Sequence, residues 1–195
     1  MPTHSPWVDD PEGYGRVSRI LHWGMALLLV WQLLSAVVRA VAEHSPLDAF
    51  FWSTHVGTGF TIAWLAILRG AWGLANLRRR PATEGPALLR KAAALGHIAL
   101  YGLLILVPAL GILRAFGKGR DLTIYGHQVF APVTPGPNAA LGSFAGEVHE
   151  FLGWTLFALI AGHIAMALWH GFVRRDGTFG SMTRGPAARH LAARV

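Results

Sequence analysis

The segment HEFLGWTLFALIAGH, residues 149–163, opens and closes on histidine, with a single charge, Glu150, beside the first. An imidazole binds metals and exchanges protons near neutral pH, and ionisable groups at membrane depth are costly enough that most are functional. From His149 to His163 a helix rises about 21 Å over nearly four turns, so the two rings point within about 40° of each other at two depths. Two further histidines stand at matching depths in other apolar stretches, His55 near the outer end of the second and His22 at the inner start of the first. The spacing predicts two cross-helix pairs, His55 with His149 and His22 with His163.

The residue types narrow the chemistry. A zinc site wants three or four ligands, usually with a carboxylate or thiolate among them. Here each level offers two facing imidazoles and no buried acid, and the chain has no cysteine. Two imidazoles across a central space suit an iron that already has four equatorial nitrogens, a haem with bis-imidazole ligation. Without cysteine there is neither covalent C-x-x-C-H attachment nor a cysteine-ligated iron–sulfur cluster, so the haems are expected to be b-type. For any one of these histidines alone, a hydrogen bond between helices or a headgroup contact is the competing role. A bundle that binds a transition metal or carries protons forms a third class, separable from a haem protein by its visible spectrum.

The elements that must position these groups follow from composition. The 195 residues are 53% hydrophobic and 14% charged, with a mean hydropathy of +0.40, outside the balance of soluble domains. Four apolar stretches, about 20–41, 50–74, 92–113 and 148–173, reach the ~20 residues that cross a hydrocarbon core about 30 Å thick. In lipid a single segment satisfies its backbone only as a helix. The expected fold is therefore all-α, an integral membrane four-helix bundle binding two b-type haems, as one domain over residues 1–195. The connection 114–147, with Pro132, Pro135 and Pro137, predicts an irregular extramembrane loop, and residues 184–195 predict a disordered tail. Arg16 and Arg19 precede an apolar run ending in Ala40, Val41 and Ala42, but that run exceeds the roughly 7–15 residues of a cleavable signal and reads as a retained span. Twelve Lys and Arg flank one side of this arrangement and four the other. The positive-inside rule then predicts cytoplasmic termini and a periplasmic 114–147 loop. That topology accounts for the net charge of +7, and nothing points to nucleic acid.

Gly59 and Gly153 each follow a histidine by one helical turn, where a missing side chain leaves room for a flat macrocycle. Such glycines equally let helices approach closely. The stretches YGRVSRILHW, HVGTGFTIAWLAILR, LGHIALYGLLILVPALGIL and EVHEFLGWTLFALIAGHIAMALWH resemble the prokaryotic cytochrome b561 family over about residues 14–186. The pattern is most similar to the family's four-helix di-haem superoxide oxidases. The resemblance implies a multi-pass protein of the bacterial cytoplasmic (inner) membrane, two non-covalent b haems, and electron exchange with a quinone. By the same resemblance, His22 and His163 would ligate the cytoplasmic-side haem iron, and His55 and His149 the periplasmic-side one.

The remaining candidates surround these four. His97 opens the third stretch, and His170 lies about 10.5 Å beyond His163 on nearly the same face. Both are expected beside the inner haem, bonding quinone carbonyls or carrying the protons that quinone reduction consumes; headgroup contact is the other reading. Arg114, Lys118 and Arg120 stand on the cation-poor side, where they would pair with outer haem propionates or steer an anion such as superoxide. Arg16 and Arg19 would serve the inner propionates likewise. An iron saturated by two imidazoles relays electrons, so no catalytic residue is assigned. Two functions follow: a superoxide:quinone oxidoreductase, reducing ubiquinone with electrons from superoxide, or a cytochrome b subunit linking quinone to a partner dehydrogenase or hydrogenase docked on residues 115–145.

Overall fold

A computed structural model describes residues 5–81 and 86–185. Four long helices dominate: α1 (Arg16–Val41), α2 (Pro46–Ala75), α3 (Ala87–Gly117) and α4 (Ala139–Trp169). Each begins earlier than the apolar stretch that predicts it, because the caps lie outside the hydrocarbon. Ser45 accepts the amide of Asp48 with Pro46 at the first position, where its missing N–H costs nothing. Asn138 accepts the amide of Leu141 to start α4. α4 ends in a π-helical turn at His170–Arg174 that leads into a short helix α5 (Thr178–Thr183). The prediction of disorder from 184 falls mostly on residues 186–195, which lie outside the described residues.

By length and composition three helices, α1, α3 and α4 continued to Arg174, are apolar enough to cross a membrane. Their apolar side chains face outward: Leu27 is 73% exposed, Ile98 67% and Phe151 70%. An exposed apolar surface of that extent marks a lipid-facing protein. α2 is as long, but Asp48, Arg69 and its His, Thr and Gly residues interrupt its apolar run and keep it out of that group, and it packs between α1 and α3.

The loop expected to be irregular holds regular structure, which corrects that reading. The connection runs only from Lys118 to Asn138, and within it β1 (Leu122–Ile124) pairs antiparallel with β2 (His127–Phe130). Its two-residue turn, Tyr125–Gly126, has positive φ at both positions, the geometry that matches the twist of a hairpin. Prolines 132, 135 and 137 all follow β2, so none removes a donor from the hairpin's ladder, which carries one register shift between Leu122 and Thr123. Leu122 and Ile124 are buried and seat the hairpin on the ends of α2 and α3. The bundle thus has a hairpin end and a terminal end.

The core is small. Ile62, Leu104 and Leu156 cluster with Met25 and Ala66. Ile62, Leu104 and Leu156 each lie seven residues past the histidine of their helix nearest in sequence before them, His55, His97 and His149, about two turns along and on nearly the same face. α4 approaches α3 closely, whereas its backbone makes few close approaches to α1 or α2 among the described residues. The faces of α4 toward α1 and α2 are where the histidines lie.

Candidate haem site

At the hairpin end, His55 of α2 faces His149 of α4 with ring centres 6.4 Å apart. At the terminal end, His22 of α1 faces His163 of α4 at 6.3 Å. A metal–imidazole bond of about 2 Å on each side, plus about 1 Å from ring nitrogen to ring centre, spans about 6 Å. Both pairs therefore match the spacing of two imidazoles sharing one central iron. No group of three or more His, Cys, Asp or Glu able to hold a bare metal ion exists among the described residues.

The hydrogen bonds at the hairpin end fit the same ligation. His149 Nδ1–H donates to the Val107 carbonyl at 2.8 Å, and α3 can approach because Gly111 lacks a side chain; a Cβ there would stand 3.2 Å from His149 Cε1. His55 Nδ1–H donates to Ser35 Oγ at 2.8 Å, and Ser35 in turn donates to the Gln32 carbonyl at 2.7 Å. Each imidazole thus has Nδ1 engaged and carries its lone pair on Nε2, the arrangement that orients a ligating histidine and raises its basicity; in His55 that lone pair lies 3.2 Å from the Gln32 amide nitrogen. Trp52 stacks on the His55 ring at 4.4 Å. Arg39 lies over Trp52 and binds the buried Asp48 at 2.7 Å. This clamp fixes the turn between α1 and α2 just beyond the histidine.

The terminal level gathers more groups. His97 of α3 stands 5.4 Å from His163, centre to centre, with its Nδ1–H donated to the Ala93 carbonyl at 2.7 Å. Arg69 of α2 stacks on Tyr101 and lies within electrostatic reach of His22 and His163. His170 turns away to Asp176, 2.6 Å from its carboxylate.

The other expected site residues divide. Gly153 has open space where a side chain would be, whereas Gly59 faces the Gln32 amide. Arg114 lies along Gly146 with its Nε buried and without a hydrogen-bond partner, within reach of His149. Lys118 packs on Gly142 at the end of α3, and Arg120 is exposed. Arg16 lies over Trp7, and Arg19 donates to the Thr183 carbonyl.

Sequence reasoning gives no role to Arg69, Gly111, Gln32 or Ser35. A signal for two of them was present: Arg69 and Gly111 stand fourteen residues after His55 and His97, the interval from His149 to His163. Three helices therefore carry the same two-level register.

Over residues 13–185 the sequence matches the family described as prokaryotic cytochrome b561. The chain belongs to that family. It is 27% identical over 183 residues, 90% of this chain and 94% of the relative, to cytochrome b561 homolog 2 of Escherichia coli (strain K12). Over 93 residues, 48% of this chain and 52% of the relative, it is 34% identical to cytochrome b561 homolog 1 of the same organism. As a cytochrome b561 family member the chain is a membrane electron-transfer protein that carries b-type haem, and the paired imidazoles of the bundle fit that group.

Proposed function

We propose that this cytochrome carries two b haems, one between His55 and His149 and one between His22 and His163, and passes electrons across the membrane between them to a quinone. The observation that carries the reading is the pair of matched imidazole spacings, 6.4 and 6.3 Å, on opposite sides of one apolar core. When bound, haem supplies a one-electron iron couple. His55 with His149, and His22 with His163, would hold the iron, and a metal held by two imidazoles would relay electrons in preference to binding a further ligand. All four long helices cross the bilayer, α2 among them, and the terminal end is cytoplasmic by its excess of Lys and Arg.

Arg114 at the hairpin end is a half-buried cation whose Nε is buried and unsatisfied among the described residues. Its field attracts a carboxylate of the cofactor or an incoming anion, with Lys118 and Arg120 extending that field to the surface. Superoxide fits as the donor: two superoxide anions give up two electrons and leave as two dioxygen molecules, and one ubiquinone takes those electrons with two protons. At the terminal end His97, whose Nδ1–H is held by the Ala93 carbonyl, takes a proton on Nε2 and as imidazolium hydrogen-bonds the quinone and hands that proton over. His170 with Asp176 relays protons from the cytoplasm. Arg69 neutralises the carboxylates of the inner group more directly than Arg16 or Arg19, whose guanidinium groups lie against Trp7 and Thr183.

A second reading, an electron-transfer subunit for a partner dehydrogenase or hydrogenase, is favoured by the hairpin end's exposed Tyr125, Val129, Val133 and Phe144. Reconstituted protein that reduces ubiquinone on addition of superoxide supports the first reading. Haem that stays oxidised under superoxide, with a dehydrogenase subunit co-purifying, overturns it in favour of the second.

A further inference from the structure

A cavity of about 270 Å³ opens at the terminal end of the bundle, lined by Arg16, Arg19, Ile20, Trp23 and Thr183. At 100° per residue its lining positions on α1 centre about 110° from His22 and about 170° from the core residue Met25. The cavity therefore faces out of the bundle, away from the imidazole pair, and a carboxylate of the bound haem is not its natural occupant. Ile20 and Trp23 are 64% and 44% exposed, as lipid-facing side chains at the interface are. The far wall is built by α5 folding back on α1: Thr183 O accepts from Arg19 at 3.0 Å and Met182 O accepts from Trp23 Nε1 at 3.2 Å.

Among the described residues the two arginines of this wall lack anionic partners. Arg16 touches the Trp7 ring, and Arg19 touches a carbonyl while its Nε is buried with no acceptor. Among the described residues no carboxylate forms an ion pair with either. Two guanidinium groups at the headgroup level, above an apolar strip of Ile and Trp, complement an amphiphile with an anionic head and an acyl chain. We propose that this groove binds an anionic phospholipid, its phosphate between Arg16 and Arg19 and its acyl chain along Ile20 and Trp23. Bound there, the lipid bridges α1 to the α4–α5 turn and closes the terminal end. The site does not rest on the redox assignment.

The test is native mass spectrometry of the purified haem-loaded protein titrated with phosphatidylglycerol or with phosphatidylcholine. The wild type should retain phosphatidylglycerol in preference to phosphatidylcholine. Each arginine near the surface is expected to contribute about a five-fold gain, so Arg16→Gln/Arg19→Gln should bind about 25-fold more weakly. The Arg78→Gln/Arg79→Gln variant removes the same charge from exposed positions at the same end and should bind as the wild type does. If the double variant loses its haem absorbance, Arg16→Gln alone, at an exposed residue, carries the test with a five-fold loss expected. Equal weakening by both charge-removing pairs, no preference for phosphatidylglycerol, or its displacement by inorganic phosphate would each overturn the proposal.

Discussion

Replacing Ser35 by alanine removes one hydroxyl from a fully buried position and leaves the proposed ligands His55 and His149 in place. That hydroxyl accepts the proton of His55 Nδ1 at 2.8 Å, so its loss makes the imidazole a weaker base and a poorer ligand to ferric iron. Outer partners of ligating histidines typically change metal affinity by about 10- to 100-fold, which corresponds to about 1.4–2.7 kcal/mol. Gln32 offers partial compensation: turning its amide over would bring Oε1, an acceptor now buried without a partner among the described residues, to where the amide nitrogen stands 3.2 Å from the His55 ring nitrogens. Ser35→Ala should therefore sit at the low end of that range, and Ser35→Ala/Gln32→Leu at the high end. The sign of the potential follows too. A less basic imidazole stabilises the ferric state less, so the midpoint of one haem should rise while the other stays fixed. Redox titration followed in the visible region, with haem content measured after dilution in detergent, reads both effects. An unchanged midpoint and undiminished haem retention in the double variant would refute the hydrogen-bond account of the hairpin-end site.

Gly111→Val should displace His149, because even the first added carbon stands 3.2 Å from its ring; haem content should fall toward half with the terminal-end signal preserved. Arg114→Gln should slow superoxide-driven haem reduction and flatten its dependence on ionic strength, as expected when a local field steers an anion; stopped-flow traces at two salt concentrations check it. His97→Ala with His170→Ala should leave haem content intact and depress quinone reduction in reconstituted vesicles. Asp176 gives a pH prediction. Partial burial pushes its carboxyl up, but hydrogen bonds from His170 and Thr178 outweigh that and hold it below the usual carboxylate range. A depressed folded pKa contributes stability above the unfolded value that is lost as pH falls through the folded one. The α4–α5 turn should therefore loosen only in acid, read as faster amide exchange at 176–183, and Asp176→Asn should abolish that pH dependence.

Much of the architecture was legible because membrane spans obey one strong rule: a single segment in lipid must be helical. Apolar length found the helices, and the fourteen-residue register of His149 and His163 found the two levels. Helix ends were less legible, since Ser45 and Asn138 cap outside the apolar stretches. The hairpin was hidden behind its prolines, although Tyr125–Gly126 between Leu122–Ile124 and His127–Phe130 is a two-residue turn of recognisable type. Arg69 escaped because a cation inside a span was counted neither as a flank charge nor as a ligand. Ser35 and Gln32 escaped for a different reason: their importance lies in what they touch across helices, and α1 carries no spacing that announces it. The glycines behaved unequally, with Gly153 facing open space and Gly59 facing Gln32, a distinction that spacing from the histidines does not contain.

Under the proposed function two haems are each held by two imidazoles, with α4 contributing one to each. The most direct measurement is the haem-to-chain ratio of the purified protein and of single histidine variants. Two haems are expected in the wild type and one in either His22→Ala or His55→Ala, with the two variants retaining spectrally different haems. A wild-type ratio of one, or a His55→Ala protein as fully loaded as the wild type, would contradict that proposal.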